Sequence, residues 1–410
     1  MDYRETFISL KGIYNLQDDV ISIPGSDINI YNQDFSSDNS DILPGAEKYI
    51  CKKHGKEFQE HHGVDNKIYF QNCHESLKVA DCNITGNKEF RYSIFKRKGE
   101  GKAEDAIILF HGLNEKHWDK YLPWAKKLVE LTGKAVILFP IAFHMSRVPV
   151  EWSKPKLMQI VSSERKKHFP TIVDSSFANA AISARIQMTP QRFFWSGLQT
   201  YYDIVQLIYE IRDGKNNFID KNAGINFFAY SIGSFLSEIL LMTNHGNLFN
   251  DSKLFIFCGG PTIDRMYPVS KYILDSDANI ALYSFFIEHL ENEFKIDERL
   301  SHYFNDDHFA GKYFKAMLCY QKNKKFREAR LMQLKDNIAA VALRKDSVIP
   351  PIEVLNILKG DFREIPIDVK VMDFPFEYSH VTPFPNDAKI EKEVNKSFNE
   401  VFEIAAEHLA

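Results

Sequence analysis

From Phe90 onward, short apolar runs alternate along the chain with segments whose apolar residues recur every three or four positions. Near-continuous runs of Ile, Val, Leu and Phe are typical of strands that are buried on both faces. Such runs predict the following strands: FRYSIFKR (90–97), AIILFHG (106–112), AVILFPI (135–141), INFFAYS (225–231), KLFIFCGG (253–260), IAAVALR (338–344) and IDVKVMDF (367–374).

The segments between these runs have helical spacing. In YLPWAKKLVELTG (121–133) the apolar residues form one stripe that ends at Gly133, and IEKEVNKSFNEVFEIAAEHL (390–409) shows the same spacing more clearly. A strand followed by a helix, repeated along the chain, indicates parallel strands joined by crossover helices. We therefore predict an α/β fold with a doubly wound, mostly parallel sheet.

Two regions interrupt this alternation of strands and helices. The N-terminal region also differs from the rest of the chain in its pattern of polar and apolar residues. Residues 1–88 are polar with only short apolar pieces, so we predict an N-terminal extension that precedes one α/β domain over residues 89–410. Within that domain, residues 142–190 and 264–333 read as insertions. The second is helical and rich in aromatic residues, and we expect it to form a cap over the strand ends.

Composition narrows the classes of function. The chain has 410 residues, 44% of them hydrophobic and 26% charged, with a formal net charge of −4. These values are those of a globular protein with a large core, and they give no basic surface for nucleic acid or for an acidic membrane.

Targeting and disulfide signals are also missing from the sequence. No N-terminal signal peptide is recognisable, and the most apolar stretch, residues 225–242, carries Asn, Ser and Glu side chains that favour a buried strand and helix over a transmembrane segment. Five widely spaced cysteines do not indicate a disulfide framework. We expect a cytoplasmic location.

Residues 225–235, INFFAYSIGSF, place Ser231 between a buried strand and the start of a helix. A sharp turn at such a junction lifts a serine hydroxyl above the sheet edge, and it requires small residues two positions before and after the serine. Here these residues are Ala229 and Gly233. A serine that only caps the following helix is the alternative.

Three further residues or segments follow the ends of other predicted strands. The segment HGLNE (111–115) comes directly after AIILF, Asp346 follows IAAVALR, and His380 lies in a loop before the C-terminal helix. Parallel sheets gather functional groups at the carboxyl ends of their strands. We therefore expect Ser231, Asp346 and His380 to meet at one edge of the sheet.

In these motifs and in this order the chain resembles the α/β-hydrolase superfamily, although AYSIG has Ala where the usual GxSxG motif has Gly. The resemblance implies a serine hydrolase in which Ser231 is the nucleophile, His380 the base and Asp346 the acid. It also implies that the backbone N–H groups of Leu113 and Ile232 form the oxyanion hole. The resemblance further implies a small-molecule acyl substrate, and analogy with the many esterases of the superfamily favours an ester over an amide. It implies no dissociable cofactor.

Alternatives remain for the acid and for the function. Asp373, just after the last strand, is the strongest substitute for the acid, and Asp264 corresponds to relatives in which the acid follows a different strand. Asp336 precedes its strand and Glu377 is only three residues from His380, so both are less suitable. A non-catalytic protein that uses the cleft to bind a ligand or partner is the rival class of function.

Two other groups of residues bear on a metal site and on an anion site. Cys51 and His54 in CKKH have a spacing that zinc ligands can use, but neither His61, His62, Cys73 nor His74 forms a clean second pair with it. We therefore assign no metal site. His144 and Arg147 follow a strand end and could face the cleft, where Arg147 would bind a substrate carboxylate or phosphate, although an ordinary salt bridge is favoured.

Overall fold

The structure is a computed structural model that describes residues 2–59, 74–99, 101–305 and 307–410. Its centre is a nine-stranded sheet, and two further strands form a separate hairpin. The strands are β1 (Val20–Ser22), β2 (Ile28–Ser36), β3 (Lys48–Cys51), β4 (Lys56–Gln59), β5 (Glu89–Arg97), β6 (Ala103–Phe110), β7 (Ala135–Leu138), β8 (Ile219–Tyr230), β9 (Leu254–Phe257), β10 (Ile338–Leu343) and β11 (Asp368–Met372).

The order of strands across the large sheet is β1-β2-β5-β7-β6-β8-β9-β10-β11. Strands β7, β6, β8, β9, β10 and β11 are parallel neighbours, whereas β1, β2 and β5 pair antiparallel at one end. The prediction of a doubly wound, mostly parallel α/β sheet is confirmed. All seven predicted strands are present, and β1 and β2 extend the sheet beyond β5 at its antiparallel end.

Helices join the strands and cover the sheet. They are α1 (Tyr3–Ile13), α2 (Leu122–Thr132), α3 (Pro155–His168), α4 (Ala180–Met188), α5 (Arg192–Arg212), α6 (Ile232–Thr243), α7 (Ser276–Tyr283), α8 (Leu290–Ile296), α9 (Glu298–Phe304), α10 (Phe309–Ala316), α11 (Lys324–Gln333), α12 (Pro351–Leu358) and α13 (Glu391–Leu409). Gly133, with φ of 73°, ends α2 as the sequence predicts.

Each face of the sheet has its own hydrophobic core. Successive side chains on a strand point to opposite faces, so Ile108 packs with α5 and α6 while Ile107 and Leu109 pack with α2 and α13. Because both faces are covered, the central strands are apolar at nearly every position. This explains the near-continuous hydrophobic runs in the sequence.

The segment before residue 88 contributes to the same sheet. Strand β2, INIYNQDFS, pairs along its whole length with β5, and helix α1 packs against α2 and α13. Sequence reasoning missed β1 and β2, because β2 buries only alternate residues and therefore lacks a continuous apolar run. The division of the chain at residue 88 stays a prediction.

The region between β9 and β10 is helical, with α7 to α11 and a short π-helix at Ser284–Glu288. Its aromatic residues pack against α5 and α6; for example, the rings of Phe314 and Phe194 lie 4.9 Å apart. Helix α10 thereby contacts both α6 and α5 near the carboxyl ends of the strands. This arrangement places the insertion beside the candidate site.

Candidate active site

Ser231 lies between β8 and α6 in a backbone conformation that non-glycine residues rarely adopt, with φ of 55° and ψ of −123°. Such strain costs about 1–3 kcal/mol and persists only where the surrounding structure enforces it. Gly233 is required by close packing, since a Cβ atom there would lie 2.7 Å from Phe110 Cβ and 2.9 Å from the His111 carbonyl oxygen. The turn therefore has the geometry that the small residues of AYSIG predict.

A chain of hydrogen bonds joins Ser231, His380 and Asp346. The Ser231 Oγ lies 2.8 Å from His380 Nε2, and His380 Nδ1 lies 2.7 Å from Asp346 Oδ2. Because a carboxylate oxygen accepts hydrogen bonds, the contact with Asp346 assigns the Nδ1 position as the donor and leaves Nε2 to face the serine hydroxyl. All three side chains are buried.

Asp346 is itself held in one orientation. Its Oδ1 accepts hydrogen bonds from the backbone N–H groups of Val348 and Ile349, each at 2.9 Å, and its Oδ2 faces His380. The turn that follows β10 supplies both backbone donors. The carboxylate therefore presents one oxygen to the protein backbone and the other to the imidazole.

Sequence reasoning missed two residues that support His380. The Tyr230 ring stacks on the imidazole with a centroid separation of 5.4 Å and an interplanar angle of 19°, and its hydroxyl donates to the His380 carbonyl oxygen. Burial raises the pKa of Tyr230 well above its ordinary value, so the hydroxyl remains a donor. Lys120 lies over the Tyr230 ring at 4.6 Å and donates to the Val381 carbonyl oxygen at 3.2 Å.

The segment after β6 is fixed near Ser231. The Gly112 N–H donates to the Tyr121 hydroxyl at 2.9 Å, and that hydroxyl donates to Glu115 at 3.0 Å. Leu113, the next residue, lines the same cavity as Ile232, the first residue of α6. The structure thus brings together the two segments that were expected to carry the oxyanion donors.

That cavity has a volume of about 60 Å³ and is almost entirely apolar. Its walls come from α5, α6 and α10, in addition to the segment after β6. The residues that line it opposite Leu113 and Ile232 are Phe193, Phe194, Phe235, Leu236, Ile239, Ala310 and Phe314. An apolar space beside Ile232, the residue that follows Ser231, is suited to a hydrocarbon group.

Two buried histidines near the cavity are neutral. Nδ1 of His111 bonds to the Gly112 carbonyl oxygen at 2.8 Å, and its Nε2 accepts from the Ile141 N–H at 3.0 Å. Nδ1 of His144 bonds to the Ala142 carbonyl oxygen at 2.9 Å, while its Nε2 has no hydrogen-bond partner among the described residues. Burial lowers the pKa of His144 to about 4, so this nitrogen is an unprotonated acceptor at neutral pH.

A second, larger groove of about 710 Å³ is also lined by Leu113. Ser379 and Val381, the neighbours of His380, form part of its wall together with polar residues such as Glu115 and Lys116. The candidate site is therefore flanked by one apolar cavity and one partly polar groove.

The other candidates from the sequence have different partners. Arg147 is fully buried, bonds to Asp203 at 2.8 Å and stacks over Phe90, so the salt bridge favoured from sequence is present. Asp373 accepts from the Tyr378 hydroxyl at 2.9 Å, and Asp264 accepts from the Tyr320 N–H at 3.0 Å.

The strand order, the strained serine turn and the positions of Asp346 and His380 after successive strands define an α/β-hydrolase type of fold. The whole chain, residues 1–410, matches the model of a family described as "Family of unknown function (DUF6051)", and the chain belongs to this family. No curated protein matches the chain.

Several solved structures are similar to this chain. A carboxyl esterase 2 from the fungus Tuber melanosporum has 11% identity and a TM-score of 0.43, with 78% of this chain and 81% of that chain covered. A thermostable esterase from Pseudomonas putida has 10% identity and a TM-score of 0.42, with coverage of 99% and 89%. The carboxylesterase Cest-2923 from Lactobacillus plantarum has 9% identity and a TM-score of 0.41, with coverage of 77% and 90%.

In the part of the chain that the structure describes, no helix has both the length and the hydrophobicity needed to cross a bilayer.

Some of the potential zinc ligands in the sequence lie outside the described residues, namely His61, His62 and Cys73.

Proposed function

We propose that this protein is a serine hydrolase that cleaves a carboxylic ester through an acyl-enzyme intermediate. The observation that carries the proposal is the hydrogen-bonded chain from the Ser231 hydroxyl through His380 to Asp346, with separations of 2.8 Å and 2.7 Å. A serine whose only role is to cap a helix has no need of an imidazole that a carboxylate holds in place.

In the first half-reaction His380 Nε2 takes the hydroxyl proton as Ser231 Oγ attacks the acyl carbonyl carbon. Asp346 keeps the proton of the imidazole on Nδ1 and stabilises the imidazolium that forms. The backbone N–H groups of Leu113 and Ile232 donate to the carbonyl oxygen as it becomes negative. His380 then gives its proton to the departing alkoxide, which leaves as an alcohol and breaks the ester bond.

In the second half-reaction a water molecule replaces the alcohol. His380 takes a proton from this water as it attacks the acyl-enzyme, and returns the proton to Ser231 Oγ when the carboxylic acid is released. The apolar cavity beside Leu113 and Ile232 supports an acyl group with a hydrocarbon chain, and the partly polar groove along Ser379 and Val381 supports the alcohol portion. We propose a small-molecule ester as the substrate on these grounds.

A fluorophosphonate probe tests the proposal directly. The wild-type protein should become labelled on Ser231, and Ser231→Ala should not be labelled. Ser234→Ala is a matched control, because Ser234 lies three residues away and its hydroxyl bonds to the Ser231 carbonyl oxygen at 2.6 Å. A folded wild-type protein that resists the probe and cleaves no acyl ester of any chain length would instead indicate a non-catalytic binding protein.

A further inference from the structure

Four potential metal ligands from two distant parts of the chain meet in one place. Cys51 and His54 lie at the turn of the β3–β4 hairpin, while His302 lies in α9 and His308 immediately precedes α10. We refer to these four residues as the Cys-His cluster. The cluster is separate from Ser231 and its partners, and the reaction proposed above does not use it.

Four of the six distances between ligand atoms of the Cys-His cluster are close to the edges of a tetrahedral zinc site. Cys51 Sγ lies 3.5 Å from His54 Nδ1 and 3.5 Å from His308 Nε2; His302 Nε2 lies 3.3 Å from His54 Nδ1 and 2.9 Å from His308 Nε2. A zinc ion bound at ~2.05 Å by nitrogen and ~2.3 Å by sulfur requires edges of roughly 3.3 Å between nitrogens and roughly 3.5 Å between sulfur and nitrogen.

The four ligand atoms also form a closed set. All of them lie within 4.8 Å of one another, including the two pairs that are not in direct contact. One ion can therefore contact all four ligand atoms at the same time.

The local backbone presents the first two ligands. The Cys51 carbonyl oxygen accepts from the N–H groups of His54 and Gly55, at 3.2 Å and 2.7 Å, which closes a tight turn after β3. Gly55 has φ of 64°, a conformation that glycine adopts at little cost. The CKKHG turn therefore directs the sulfur and the imidazole of its two ligands to the same side.

We infer that Cys51, His54, His302 and His308 bind a zinc ion at a structural site. One thiolate and three imidazoles form the nitrogen and sulfur ligand set that zinc prefers, and four protein ligands leave no open position for a substrate. The ion would join the β3–β4 hairpin to the insertion between β9 and β10. Of the residues near it, Ala310 and Phe314 of α10 line the apolar cavity, so zinc would also fix one wall of that cavity.

Metal analysis tests this inference whether or not the protein cleaves an ester. Tag-free protein is purified without chelators or added metal. Elemental mass spectrometry should then find about one zinc ion per chain. Cys51→Ser combined with His302→Ala should contain less than roughly a tenth of that amount, because two of four ligands are gone. His289→Ala is the control, since His289 is an exposed histidine of the same insertion and should leave the zinc content unchanged.

A second measurement covers the case in which the double variant does not fold. Wild-type protein stripped with a chelator should bind Co²⁺ with a 1:1 end point and give the absorption of a tetrahedral cobalt–thiolate site. Readdition of zinc should raise the unfolding temperature by several degrees, because the ion binds the folded state. Zinc-free wild-type protein that neither binds Co²⁺ nor gains stability would overturn the inference, and a different metal at one per chain would overturn the assignment to zinc.

Discussion

Replacing Asp346 with asparagine changes one carboxylate oxygen to an NH2 group at nearly constant volume. The two backbone donors decide which way the new side chain points. Its oxygen must face the N–H groups of Val348 and Ile349, because the reverse orientation would leave both without an acceptor. At about 1–3 kcal/mol for each unsatisfied buried donor, the reverse orientation costs about 2–6 kcal/mol.

The NH2 group of the asparagine would therefore face His380. It would donate to Nδ1, which moves the imidazole proton to Nε2 and leaves no lone pair to accept the Ser231 proton. The wrong tautomer of a catalytic histidine lowers kcat by about 10⁴-fold, equivalent to about 5.4 kcal/mol of activation free energy. Because the hydrogen bonds to Val348 and Ile349 remain, the unfolding temperature should change little.

The assay is the initial rate with p-nitrophenyl esters of graded acyl length, combined with thermal unfolding of each variant. Ser231→Ala sets the background rate, and Asp373→Asn serves as the matched control, since Asp373 bonds to Tyr378 instead of His380. Turnover of Asp346→Asn within a few-fold of the wild type would refute this reasoning. The acid would then have to be Asp373 or Asp264.

Three further changes probe separate parts of the molecule. Burial raises the pKa of Glu238 well above its ordinary value of 4.5. Between that value and the raised pKa, the folded protein keeps a proton that the unfolded chain loses. The free energy of unfolding therefore falls by about 1.4 kcal/mol per pH unit as pH rises through this range. Glu238→Gln should therefore raise the unfolding temperature at pH 8 and not at pH 4, and an equal gain at both would contradict this. Arg147→Leu leaves the Asp203 carboxylate buried without its cation, so it should destabilise the fold by about 3–5 kcal/mol in denaturant titrations. Arg147→Leu combined with Asp203→Leu should recover part of that loss, and unchanged stability of the single variant would contradict this account. Ala310→Phe narrows the apolar cavity, so it should raise KM for octanoyl esters by about tenfold or more and have little effect on acetyl esters. An equal effect on both esters would show that the acyl chain lies elsewhere.

Much of the candidate site could be located from sequence because parallel sheets impose strong local patterns. The runs that form β6, β8, β10 and β11 are buried on both faces, so their ends are visible as the points where apolar residues stop. Ser231, Asp346 and His380 were chosen because each follows such an end, and the structure has them in hydrogen-bonding contact. Their catalytic role stays a prediction that the probe and the asparagine variant test.

Residues that act through neighbours distant in sequence gave no local signal. Tyr230 looked like one more apolar residue of β8, although it stacks on His380, 150 positions away. The sequence could not show that Arg147 is enclosed with Asp203. Strand β2 was missed for a related reason, because one of its faces is polar and only pairing with β5 shows that it belongs to the sheet.

The amino-acid sequence alone determined the parallel strands, their order along the chain and the small residues that the serine turn requires, since these depend on burial and on backbone conformation within a few residues. Only the tertiary structure decided which distant side chains meet. The clearest case is Cys51 and His54, which supply two of the four ligands of the proposed zinc site and have no clean second pair near them in the sequence. His302 and His308 come from about 250 positions away, brought there by the packing of the insertion against the β3–β4 hairpin.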